Sequence, residues 1–243
     1  MENVVVGSAR TYADNIKLVL LFSIPFVISF LIPVFVSLPT FVSVGGIFLR
    51  SASIFINLNL YSIAVIVISI FISLLFLSFA YVAINLIVKA RRTRTKNTRA
   101  MLARIEVYTG KVFVLFLVYT FIIALVNLLG YYVHMSSILT PIVGFFAFLP
   151  LFFAPSAITI DNKGIWRALV DSTKLLVKAP QYFVVWIVLI VVILSLVDLA
   201  SVVFGGTALS GYVSLVISTL FVLPYFVIFQ AEAYMYRFPL LRH

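Results

Sequence analysis

The sequence has no cysteine, only two histidines (His134 and His243) and only 7 acidic residues in 243. Without cysteine there can be no disulfide framework, thiolate zinc site, iron–sulfur cluster or cysteine nucleophile. Two histidines far apart argue against a bis-histidine haem and a histidine-rich metal centre. Charge is scarce as well. Only 10% of residues are charged and 64% are hydrophobic, against about 25% and 45–50% in soluble domains. Mean hydropathy is +1.25. These values exclude an ordinary soluble enzyme and a disordered chain, and they specify a polytopic membrane protein.

Catalytic patterns are missing too. The sequence has no Ser-His-Asp set, no paired carboxylates at one depth, no phosphate-binding glycine loop and no HExxH. The sequence therefore assigns no catalytic residue, no cofactor and no metal, and it reads as non-enzymatic.

What it does contain is apolar runs. About 20 residues of helix cross a hydrocarbon core, and six such runs are expected: 18–37, 62–88, 112–131, 138–160, 182–204 and 210–231. The first run is too long for a cleaved signal and is expected to remain as a span. Pro25 and Pro33 in the first span, and Pro141, Pro150 and Pro155 in the fourth, should bend or break those helices. Residues 38–61 are apolar but carry Gly45, Gly46 and Arg50. A span there would bury Arg50 at high cost, so an interfacial helix near 40–56 or a re-entrant piece is expected. The fold class is an all-α polytopic bundle of six transmembrane helices plus an interfacial amphipathic helix. It forms one integral domain over 1–243, in three hairpins of about 1–89, 90–160 and 161–243.

The 17 basic residues are unevenly placed: all except Arg50 fall before span one, between spans two and three, between spans four and five, or in the tail. The positive-inside rule then puts both termini and both long loops in the cytoplasm of a multi-pass cell-membrane protein.

Three features could carry function. The first is the loop 89–111, with Arg91, Arg92, Arg94, Lys96, Arg99 and Arg104 against one acid, Glu106. Such clusters attract anionic lipid or an acidic protein partner. Nucleic acid is disfavoured, because Tyr108 is the loop's only aromatic and single-strand platforms interleave several. The second is 163–178. At helical spacing Arg167, Asp171, Lys174 and Lys178 share a stripe opposite Ile165, Leu169 and Leu176, and Trp166 is placed as an interfacial anchor. Asp161 or Asn162 should cap this helix, and Asp171 should pair with Arg167 and Lys174. The third is Asp198, roughly 24 Å into span five at 1.5 Å per residue, where Arg50 could face it as an intramembrane polar site. Gln230, Glu232, Tyr234 and Tyr236 read as an interfacial belt, and Asn85 and Asn127 as interhelical hydrogen-bonding groups.

Residues 150–178 run Pro150-Leu-Phe-Phe-Ala-Pro155, then Asp161-Asn-Lys-Gly164, then Ala168-Leu169 and Ser172 in a helix. This resembles a pattern in six-helix prokaryotic membrane proteins and in the membrane domain fused to some glycerophosphodiester phosphodiesterases. Ser8–Asn15 is similar to the start of that group. The resemblance implies the six-helix layout. Nothing here is similar to the catalytic barrel, so it implies no enzymatic activity. The function expected is a membrane scaffold or partner subunit working through its basic cytoplasmic face. The competing reading is a small-solute transporter or channel, or the channel component of a translocation machine, built around the proline breaks.

Overall fold

A computed structural model describes residues 2–35, 40–43, 46–49, 60–93, 104–133 and 136–237. In chain order it contains α1 (Glu2–Asp14), α2 (Ile16–Phe35), β1 (Thr40–Ser43), β2 (Gly46–Leu49), α3 (Leu60–Thr93), α4 (Ile105–Tyr132), α5 (Ser136–Leu151) and α6 (Ala154–Asp161). There follow α7 (Ile165–Lys178), α8 (Pro180–Ile217), a π-helical turn at Ser218–Val222, and α9 (Leu223–Arg237).

The chain is an all-α membrane bundle. Six helical segments are long and apolar enough to span: Ile16–Pro33, Ile63–Arg91, Ile105–Gly130, Ile138–Asp161, Pro180–Val203 and Ser210–Tyr236. Large apolar side chains point outward along them, Phe121, Phe146 and Leu199 among them. Lipid tails, not water, are the solvent such surfaces require. α8 is assigned as one helix of 38 residues, which would be about 57 Å long if straight. It is not straight, because the rings of Trp186 and Phe226 are 5.7 Å apart. The chain therefore reverses between its fifth and sixth spans, where the sequence places Gly205-Gly206, a pair at which helices kink.

One expectation is corrected and another is narrowed. Thr40–Ser43 and Gly46–Leu49 form no helix. They pair as an antiparallel hairpin, Thr40 opposite Leu49 and Ser43 opposite Gly46. β-branched and aromatic residues on a pleated ribbon explain the preference. The remainder of that stretch, with Arg50, lies outside the described residues. The prolines also act unequally. Pro25 and Pro33 stay inside one continuous α2, whereas the fourth span breaks at Phe152–Phe153 between α5 and α6. Ser172 Oγ accepts a hydrogen bond from the Phe153 N–H at 2.9 Å, which supplies a partner at the break.

The core is concentrated at one end of the bundle. α6 is buried on every side from Ala154 to Ile160. The same core holds Ala80, Val82, Ile84 and Val88 of α3 and Phe229 and Tyr234 of α9. Asn85 joins the two layers, with Ser156 Oγ donating to its Oδ1 at 2.9 Å, the interhelical bond expected of it. Leu149-Pro150-Leu151-Phe152 and Leu223-Pro224-Tyr225-Phe226 meet at Trp186, whose ring lies 5.1 Å from Phe152 and 5.7 Å from Phe226.

Candidate functional site

The packed end of the bundle gathers the basic residues. α3 has 34 residues, about 51 Å, so its Lys89–Thr93 end projects beyond a hydrocarbon core of about 30 Å. There it meets α1, a helix formed by the mixed-charge residues that precede the first span. Val4, Ser8 and Thr11 of α1 are buried and recur at helical spacing. Thr11 Oγ1 donates to Glu232 Oε1 of α9 at 2.8 Å. Arg91 donates to Thr11 Oγ1 and forms an ion pair with Asp14 at 2.7 Å. Arg91 therefore fastens α3 to α1 and does not point freely outward. Glu232 is only 3% exposed, so it is a buried acid and not part of an exposed belt. Tyr236, 48% exposed, does fit a belt.

A second cluster closes the α6–α7 elbow. Asn162 takes a left-handed conformation, φ 54°, which asparagine tolerates at a helix C-terminus. That turn delivers Lys163 to three partners: Asp161 at 3.0 Å, Asp171 at 2.9 Å and the Tyr234 hydroxyl at 3.0 Å. The Tyr234 hydroxyl in turn donates to Asp161 at 2.6 Å. Partial burial alone would lower the Lys163 pKa. Its bonds to Tyr234, Asp171 and Asp161 outweigh that and hold it above the ordinary lysine value. Nearby, burial raises the Tyr12 hydroxyl above its usual value. Two local expectations change here. Asp171 pairs with Lys163, not with Arg167 or Lys174, and Gly164 is the N-cap of α7, with no side-chain cap bond.

α7 carries three stripes. Ala168, Ser172 and Leu175 are buried against the bundle, with Ile165, Leu169 and Leu176 beside them. Arg167, Lys174 and Lys178 are exposed on a second stripe. Trp166, 77% exposed, and Val177, 74% exposed, form a third with Val170 between them. Val170, Thr173, Lys174, Val177 and Lys178 line a shallow groove where the apolar and basic stripes adjoin. The sequence pattern anticipated two faces; the exposed apolar stripe follows from the same 100° periodicity, but only packing reveals which apolar side is covered.

Among the other candidates, Arg104 is exposed and borders a shallow hollow with Val107, Tyr108 and Asn162. Arg92 lies in α3, and its side chain is outside the described residues, as are Arg94, Lys96, Arg99 and Arg50 entirely. Asp198 is half-buried in α8, and its pairing with Arg50 falls outside the described residues. Among the described residues no group of three or more His, Asp or Glu is placed to hold a metal.

Compared with known proteins, the chain matches no family model, no curated protein and no solved structure.

Proposed function

We propose that this chain is a non-enzymatic membrane scaffold that holds a basic cytoplasmic face against anionic lipid headgroups. Both termini and the α7 elbow lie on the cytoplasmic side of the cell membrane in this reading. The observation that carries it is α7. An exposed tryptophan and valine stripe runs beside Arg167, Lys174 and Lys178 on a helix whose remaining face is fixed to the bundle. A helix lying in the interface wants one apolar stripe in the acyl boundary and a basic stripe at the headgroups. Each basic residue near an anionic surface contributes about 1 kcal/mol. The internal ties of Lys163 and Arg91 make this face rigid, so it presents a fixed pattern of charge.

The positive-inside rule supports the orientation, since every Lys and Arg except Arg50 lies in the segments assigned to one side. The broken fourth span is the feature that a transporter or channel would use. The cavity beside it is lined mainly by apolar and aromatic side chains, which favours scaffolding over an ion path.

The test is extraction from native membranes in polymer discs, with the co-extracted lipid and protein analysed. Wild type should be enriched in anionic lipid over the bulk membrane. Arg167→Gln/Lys174→Gln/Lys178→Gln should lose that enrichment. Equal lipid profiles, with a stoichiometric protein crosslinked through α7 instead, would replace the lipid reading with a docking subunit.

A further inference from the structure

A cavity lies within the bundle, away from α7. It has a volume of about 280 Å³, is partly open, and is bounded by α2, α3, α4, α5, α6 and α9. Phe30, Phe116, Phe148 and Phe152 form much of its wall, and Gln230, Tyr81, Tyr119 and Thr120 are its polar lining residues. Gln230 is 3% exposed and Tyr81 is partly buried, and both line this cavity. An amide at the wall of an apolar cavity is a natural hydrogen-bonding point for an occupant, since polar groups in a low-dielectric interior usually have a partner.

The depth of these groups identifies what would fit. Gln230 precedes Tyr234 by one helical turn, so it sits about 6 Å below the Lys163–Tyr234 network. Leu223, which also lines the cavity, is about 10 Å deeper again along the same helix. The polar group is thus just beneath the surface network and the apolar room extends towards the bilayer centre. An apolar cavity of about 150 Å³ takes a benzene ring, so 280 Å³ takes a substantial length of hydrocarbon. The break at Phe152–Phe153 and the π-helical turn at Ser218–Val222 both adjoin it, and π-bulges frequently mark functional sites.

We infer that this cavity is a binding site for one glycerolipid, its hydrocarbon chain among the phenylalanines and a glycerol-backbone oxygen accepting a hydrogen bond from the Gln230 amide. The site is independent of the α7 surface, since it reads chain and backbone and not headgroup charge. A lipid with a neutral headgroup therefore tests it without engaging the basic stripe.

The experiment is native mass spectrometry of the full chain, delipidated in detergent and titrated with dioleoylphosphatidylcholine. Wild type should retain one lipid at stoichiometric level. Gln230→Leu, similar in size, should weaken retention about three- to tenfold, the range of one intramembrane hydrogen bond. Leu77→Trp should fill the room and abolish retention. Thermal unfolding of each variant checks folding, and if Leu77→Trp does not fold, Gln230→Leu carries the test. Absence of a retained lipid in wild type, equal retention by wild type and folded variants, or no preference for the glycerolipid over the detergent would overturn the inference. Arg167→Gln/Lys174→Gln/Lys178→Gln should leave this retention unchanged, which separates the two lipid readings.

Discussion

Lys163 and Tyr234, 71 residues apart in sequence, meet at 3.0 Å and tie the α6–α7 elbow to the last helix. The bond is one edge of a closed arrangement with Asp161 and Asp171. Because Tyr234 is fully buried, its hydroxyl cannot exchange these partners for water. Tyr234→Phe should therefore destabilise the protein by about 1–2 kcal/mol, and Lys163→Met by about 1–3 kcal/mol, since it leaves two carboxylates facing each other. Thermal unfolding in detergent checks both, and unchanged midpoints would remove this network as the fastener of α7.

The same lysine sets a pH dependence. Its pKa is raised on folding, so the stability it supplies is fully present below the ordinary lysine value of 10.5 and is lost as pH rises through the higher folded value. The gap in unfolding midpoint between wild type and Lys163→Met should stay constant from neutral pH to about 10 and narrow only above that range. A gap that closes near neutral pH would show that the ammonium is not held as described.

Arg91 predicts a different consequence. It fastens α3 to α1 through Thr11 and Asp14, and Thr11 also donates to the buried Glu232. Thr11→Val deprives Glu232 of that donor and should cost about 1–3 kcal/mol. Asp14→Asn acts on a more exposed pair and should cost less than about 1 kcal/mol. Proteolysis of the amino-terminal helix in membranes should follow the same order.

The proposed orientation is directly testable because the chain has no cysteine to give background labelling. Lys96→Cys should react with a membrane-impermeant maleimide only after cells are permeabilised. His134→Cys should react in intact cells. The reverse pattern would invert the topology and move the basic face to the outside.

Much of the fold was legible in the sequence because each span is a long apolar run with few charges, a signal that needs no tertiary context. Asn85 was legible as a bridging group because a polar side chain at that depth has few other uses. The hairpin at 40–49 was not, since a short apolar stretch with glycine suits a strand or an interfacial helix equally. α1 was missed because its buried face is Val4, Ser8 and Thr11, too polar to stand out as a stripe. Glu232 was misplaced for a related reason: a carboxylate near a span end looks exposed until Thr11, more than 200 residues away, is brought beside it. At α7 the sequence located Trp166, Arg167, Lys174 and Lys178, but Lys163 had to be seen in place before Asp171 could be assigned to it.

The central claim is that α7 meets anionic headgroups, and Trp166 is a reporter already in position. With Trp186→Phe removing the other tryptophan, Trp166 fluorescence can be read in discs containing brominated phosphatidylglycerol or brominated phosphatidylcholine at equal mole fraction. The account predicts stronger quenching by the anionic lipid. That preference should vanish in Arg167→Gln/Lys174→Gln/Lys178→Gln and shrink in 1 M salt, where the Debye length is about 3 Å. Equal quenching by the two lipids in the unaltered basic stripe would contradict it.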